Sequence, residues 1–199
     1  MSHIELLADK ATPLHRAGFL VIHANHQSPV RMRAGIALGS NIGDRLSHLR
    51  AAYREVAGLS ADSSAVKRSS IYQTTPVDSP PGAQLYLNAV MEIEFSRPAI
   101  VLLDALISIE RSLGRPSRRP RNAPRIIDLD LLYLGNLTLN SPEIIIPHPR
   151  LTRRRFVLEP LTEIAPDLIL PGAMVSIRTL LADLQSEEEV TRIPEELSV

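Results

Sequence analysis

Asp128 and Asp130 are the residues of this chain whose types and spacing most directly suggest chemistry. They lie in Ile126-Ile127-Asp128-Leu129-Asp130-Leu131-Leu132, where apolar and acidic residues alternate with the period of a β-strand. Residues two apart on a strand share a face, about 7 Å apart, so both carboxylates project side by side while Ile127, Leu129 and Leu131 point to a core. Neighbouring carboxylates on one face repel each other unless a cation neutralises them. A hard divalent cation, most simply Mg2+, does so, and two such ions bridged by a carboxylate also bind phosphate oxygens. Ordinary solvated carboxylates on an exposed strand are the alternative. The setting favours the cation. Of 22 basic residues, 20 are Arg, and ten of those fall in two acid-free segments: Arg111, Arg115, Arg118, Arg119, Arg121 and Arg125, then Arg150, Arg153, Arg154 and Arg155. The planar guanidinium fork suits phosphate oxygens, so anion-binding and cation-binding groups stand within a few residues of each other.

The elements that must position these groups can be read from the pattern. Gly35–Gly39 is a short apolar run that predicts a buried strand, stopped by Ser40-Asn41-Ile42-Gly43. Asp44 can cap a helix reaching Ala57, with Leu46, Leu49, Tyr53 and Val56 on one face. Val66–Tyr72 predicts a strand, Gln73–Gln84 a breaker-rich loop, and Tyr86–Phe95 a strand with Tyr86, Asn88 and Val90 on one face. Pro98 fits the first turn of a helix to Leu113, which Gly114 ends. After the loop Arg115–Arg125, Ile126–Leu134 is a strand, Gly135-Asn136 a turn, Leu137–Leu139 a short strand, and Ile144–Ile146 leads into Pro147-His148-Pro149. Arg155–Ile164 and Ser176–Gln185 read as helices. The order strand–helix–strand–strand–helix–strand is the α+β, ferredoxin-like split βαβ sandwich: a mostly antiparallel sheet with helices packed on it, expected on one face.

Composition narrows the class. A chain of 199 residues, 44% hydrophobic and 22% charged, suits one domain with a real core. Cysteine is absent, which excludes disulfides, thiolate metal sites and a Cys nucleophile. No apolar run approaches the roughly 20 residues of a membrane span, and a cytoplasmic protein is expected. Residues 1–33 carry four of the six histidines at spacings that match no ligand motif, and read as a poorly structured extension, with Met32 a candidate start. Residues 34–186 form the expected domain, and residues 187–199 an acidic tail expected to fray. Gly39-Ser40-Asn41-Ile42-Gly43 resembles a phosphate loop, but no Lys-Ser or Lys-Thr follows, so a plain strand-to-helix turn with Gly43 at positive φ is expected.

Several spaced motifs together resemble one family. Arg121 to Leu132 is similar to the signature of 6-hydroxymethyl-7,8-dihydropterin pyrophosphokinase, an enzyme of folate biosynthesis. Ala37-Leu38-Gly39-Ser40-Asn41, Ser69 to Thr74, Tyr86-Leu87-Asn88-Ala89, Ile109-Glu110 before Gly114-Arg115, Pro147-His148 and Glu163-Ile164-Ala165-Pro166 follow in the family's order. The resemblance covers about residues 34–172. It implies transfer of the pyrophosphoryl group of ATP to the pterin hydroxymethyl oxygen, with release of AMP. It also implies that Asp128 and Asp130 bind two Mg2+ ions, that Arg115 and Arg125 engage phosphates, and that His148 and Arg154 lie at the nucleotide. Glu110 and Thr74 would line or support the site. Tyr86 and Phe156 match the family's stacking pair and Asn88 its edge-reading amide, a combination suited to a flat heterocycle.

The chain departs from some relatives at Ser117, Asn122, Glu143 and Pro149, on the expected nucleotide side. Loops Gln73–Gln84 and Arg115–Arg125 are expected to close over bound substrates. The implied partners are the two small substrates, with the chain acting as a monomer, without nucleic acid or membrane. An RNA-binding module of the same fold would need exposed sheet aromatics, yet aromatics are only 4% and the paired aspartates repel RNA. A degenerate, non-catalytic relative would be expected to have lost a carboxylate or a phosphate arginine, and all four are present.

Overall fold

The computed structural model describes residues 30–75, 84–116 and 124–197. Strand β1 (Met32–Ser40) leads to helix α1 (Arg45–Ala57), then β2 (Lys67–Arg68), β3 (Tyr72–Thr74) and β4 (Tyr86–Phe95). Helix α2 (Ala99–Ser112) follows, then β5 (Asp128–Leu134), β6 (Leu139–Asn140) and β7 (Ile145–Ile146). Helices α3 (Arg155–Ile164) and α4 (Ile177–Asp183) and strand β8 (Val190–Arg192) complete the order. The main sheet runs β5-β1-β4-β3-β8, with β2 also on β4, and each of these pairings is antiparallel. This is the split βαβ, ferredoxin-like arrangement expected from the sequence.

Local chemistry explains the element ends. The Asp44 carboxylate accepts from the Ser47 N–H (3.1 Å) and the Ser47 hydroxyl (2.8 Å), capping α1. Gly43, at φ 66°, makes the sharp entry that a side chain would strain. Pro98 sits at the N-cap of α2 rather than in its first turn.

Helices cover both faces of the sheet, not the single face expected. On one side Leu87, Ala89, Met91 and Ile93 of β4 pack with Leu49 and Val56 of α1 and with Leu102, Leu106 and Ile109 of α2. Ile127, Leu129 and Leu131 join them there, as their alternation predicts. On the other side Val90, Leu132 and Tyr133 meet Val157, Leu158 and Leu161 of α3 and Ile177 of α4. α1 and α2 already fill the first face, so the apolar stripe of α3 finds its burial on the second. Each fully buried Leu or Ile contributes about 1.5–3 kcal/mol of transfer free energy.

Three further expectations need correction. The predicted strand Val66–Tyr72 breaks into β2 and β3 because Glu163 of α3 binds the intervening chain: its carboxylate accepts from the Ser70 N–H (2.9 Å), the Ser70 hydroxyl (2.9 Å) and the Tyr72 hydroxyl (3.1 Å). Met32 and Arg33 belong to β1, paired with Phe95 and Glu94, so the fold begins before residue 34; residues 1–29 lie outside the described residues. The acidic stretch does not fray through its length: β8 pairs with β3, and Leu197 is buried in the core. Among the described residues no helix is long and apolar enough to cross a membrane.

Candidate active site

The chemistry-bearing residues gather at one end of the sheet. β5 starts at Asp128, two residues later than the sequence suggests, because Asn41 holds the chain just before it. The Asn41 N–H donates to the Arg125 carbonyl (3.1 Å), and the Arg125 N–H donates to Asn41 Oδ1 (2.7 Å). This clamp fixes the register from which Asp128 and Asp130 face Gly39 and Ala37 of β1. Across β1, Gly39 pairs with Asn88 of β4. A Cβ at residue 39 would stand 2.9 Å from Asn88 Oδ1, so glycine there allows the amide its place. The buried Asn88 Nδ2 donates to Thr74 Oγ1 at 2.7 Å.

Each aspartate is neutralised by arginine. Arg115 Nη1 lies 2.7 Å from Asp128 Oδ1, and Arg125 Nη1 pairs with Asp128 Oδ2. Arg115 is aimed by the buried Glu110, which pairs with its guanidinium and accepts from the Leu129 N–H at 2.7 Å. Burial alone would raise the Asp128 carboxyl, but Arg125 and Arg115 outweigh it and hold the group below the ordinary carboxylate range. Asp130 Oδ2 is 3.2 Å from Arg154 Nη1 and 4.0 Å from His148 Nε2. His148 is carried there by its own N–H, which donates to the Leu132 carbonyl at 2.8 Å. The register between β1 and β5 shifts at this point and leaves Leu132 without a partner in β1, which frees that carbonyl. Burial holds the His148 imidazole below the usual histidine range against the opposing charge of Asp130.

Asp128 and Asp130 open onto a cavity of about 300 Å3 that also takes in Thr74, Tyr86, Asn88, Arg125, Arg154 and Phe156. The Arg154 guanidinium lies 5.3 Å from the centre of the Phe156 ring. Of the residues expected at the site, Glu110 and Arg115 stand behind Asp128 and His148 beside Asp130, outside the cavity lining. Gly39, Thr75, Arg150, Arg153 and Glu188 also line it, and none of them was singled out as a site residue from the sequence. Membership of the second arginine cluster was the available signal for Arg150 and Arg153. Nothing marked Glu188. Ser117, Asn122 and most of the two expected closing loops lie outside the described residues.

Four arginines and three carboxylates line this cavity, and the buried Arg125 Nε finds no hydrogen-bond partner among the described residues. Among the described residues no group of three or more His, Asp or Glu forms a metal cage. Two hard carboxylates are nonetheless the donor set Mg2+ uses when substrate phosphates complete its shell. Asp128 and Asp130 therefore fit a phosphate-borne Mg2+.

Comparison with known proteins gives this geometry a family. Residues 35–166 match the model of the family described as 7,8-dihydro-6-hydroxymethylpterin-pyrophosphokinase (HPPK). The chain is 44% identical over 131 residues to a 2-amino-4-hydroxy-6-hydroxymethyldihydropteridine pyrophosphokinase of Bacillus subtilis, covering 66% of this chain and 77% of that protein. A protein of the same name from Haemophilus influenzae is 39% identical over 142 residues, 71% of this chain and 87% of its own. Among solved structures, an HPPK-DHPS in complex with substrates has a TM-score of 0.61 at 13% identity, over 76% of this chain and 42% of that one. A Plasmodium falciparum HPPK-DHPS with pterin and p-hydrobenzoate has a TM-score of 0.58 at 14% identity, over 78% and 45%. The chain thus spans under half of those two solved chains, and that likeness is one of fold. With the family model covering most of the sheet and the sequence likeness extending over most of two curated relatives, the chain belongs to the 7,8-dihydro-6-hydroxymethylpterin-pyrophosphokinase family.

Proposed function

We propose that the cavity at the Asp128 end of β5 is where this pyrophosphokinase holds ATP and 6-hydroxymethyl-7,8-dihydropterin together, with Asp128 and Asp130 as its metal-binding groups. The enzyme transfers the pyrophosphoryl group of ATP to the hydroxymethyl oxygen of the pterin and releases AMP, a step of folate biosynthesis. The observation that carries the site assignment is the meeting, in one cavity, of a same-face aspartate pair, four arginines and an aromatic-amide set formed by Tyr86, Phe156 and Asn88.

The nucleophile is the substrate's own hydroxyl, which attacks the β-phosphorus of ATP as the bond to the α-phosphate oxygen breaks. No side chain has to form a covalent intermediate, so the protein's work is alignment and charge neutralisation. Asp128 and Asp130 would hold two Mg2+ ions, which screen the ATP phosphates and stabilise the charge that moves onto the leaving AMP oxygen. Arg125 and Arg154, which line the cavity and pair with the aspartates in this structure, are placed to exchange those partners for phosphate oxygens, and Arg115, behind Asp128, would have to turn into the cavity to join them. Tyr86 and Phe156 would sandwich the pterin ring while Asn88, held by Thr74, reads its edge. His148, whose imidazole burial holds below the usual histidine range, is placed beside Asp130 to contact the nucleotide.

The test is AMP formation from ATP by the full chain. Turnover is expected to require both a divalent cation and the dihydropterin. Asp130→Ala is expected to lower turnover about 1000-fold or more with the circular dichroism spectrum unchanged. Near-normal turnover in that variant overturns the metal assignment.

A further inference from the structure

The acidic segment after α4 has no part in the chemistry above, yet one of its carboxylates reaches the cavity. Glu188 lines it, and its Oε2 accepts from the Phe156 N–H at 3.0 Å. That N–H lies in the first turn of α3, where backbone donors lack partners within the helix. The N-cap residue, Arg154, supplies no capping side chain, and a cation is the wrong charge for a helix N-terminus. Glu188 thus provides from 32 residues downstream the acceptor that the local sequence omits.

The backbone around Glu188 is fastened to the opposite wall. The Thr75 N–H donates to the Glu189 carbonyl, and the Glu189 N–H donates to Thr75 Oγ1, both at 3.2 Å. β8 then pairs Val190 with Thr74 and Arg192 with Tyr72. Beyond it the Arg50 Nε donates to the Glu196 carbonyl at 2.9 Å, and Leu197 is buried. Glu188 is half-buried while Glu187 and Glu189 are exposed. One strap therefore joins the strand that supports the amide reader, through Thr74, to the helix turn that bears the ring.

We infer that Glu188 is a positioning residue of the pterin pocket: its carboxylate fixes the first turn of α3 and so holds Phe156 at a set distance from the Thr74–Asn88 wall. This rests on the assignment of the cavity to the pterin. Of the groups assigned to the phosphates, Arg115 and Arg125 are held from other elements by Glu110, Asn41 and Asp128, and Arg154, at the N-cap of α3, is held by Asp130, so loss of Glu188 acts more on the pterin than on the nucleotide.

The experiment compares the full chain with Glu188→Ala, Glu188→Gln and Glu187→Ala. Calorimetry gives the affinities for 6-hydroxymethyl-7,8-dihydropterin and for a non-hydrolysable ATP analogue with Mg2+, and NMR gives hydrogen exchange at the Phe156 amide. Glu188→Ala is expected to weaken pterin binding roughly tenfold, to change nucleotide affinity much less, within about twofold, and to speed exchange at Phe156. Glu188→Gln, which keeps an acceptor oxygen, is expected to recover most of both, and Glu187→Ala to behave as the unaltered chain. Unchanged pterin affinity in Glu188→Ala, or an equal loss of both ligands, overturns the inference while leaving the pocket assignment standing. Failure of the unaltered chain to bind the pterin overturns the pocket assignment, and this inference with it.

Discussion

At the scale of single residues, the site depends on groups that do no chemistry themselves. Gly39 leaves room for the Asn88 amide, since a Cβ there would stand 2.9 Å from Asn88 Oδ1. Gly39→Ala is therefore expected to push the amide off Thr74 and raise the KM for the pterin roughly tenfold, while costing only about 1–3 kcal/mol of stability. Steady-state kinetics together with urea unfolding check both parts, and an unchanged KM would contradict the role given to Asn88. The aspartate pair was legible in the sequence because the strand period places alternate residues on one face. The clamp by Asn41 was not, because its partner Arg125 lies 84 residues away and no local pattern connects them. Glu110 was legible only through the family resemblance: by pattern alone a buried acid in a helix looks like a misfit until Arg115 and the Leu129 N–H are seen around it.

At the scale of elements, two irregularities do positioning work. The register shift in β5 releases the Leu132 carbonyl that sets His148 beside Asp130. The break between β2 and β3 is where Glu163 docks α3 onto the sheet. Neither was legible, since a smooth apolar alternation predicts an unbroken strand and the disturbing groups lie far along the chain. The second carries a pH signature. Burial, and then the charge of Glu163, push the Tyr72 phenol up to about 12, so the folded state favours its protonated form. The associated stability is fully present below the phenol's ordinary value of about 10 and is lost as pH rises from there toward 12. Urea unfolding is expected to show stability falling between about pH 10 and pH 12, with a shallower fall in Tyr72→Phe. Equal slopes in the two proteins would contradict this account of the docking.

At the scale of the whole molecule, the sheet is a plate between two helical layers, and its polar end gathers groups from β1, β3, β4, β5 and the start of α3. The strand and helix order was legible from apolar periodicity. The side on which each helix packs was not, because an amphipathic stripe says that a face is buried without saying against what. The strap of β8 was hidden for a related reason: an acid-rich stretch reads as solvated unless the strand, the arginine and the helix end that receive it are known. Together these layers bring carboxylates and guanidiniums into mutual contact, so each neutralises the other until a more highly charged partner arrives. The most direct test is a crystal structure of the full chain with Mg2+, a non-hydrolysable ATP analogue and the dihydropterin. The account predicts two ions bound by Asp128 and Asp130 at about 2.1 Å, Arg115, Arg125 and Arg154 turned onto phosphate oxygens, and the pterin between Tyr86 and Phe156. Aspartates still paired with their arginines, with the nucleotide bound elsewhere, would contradict it.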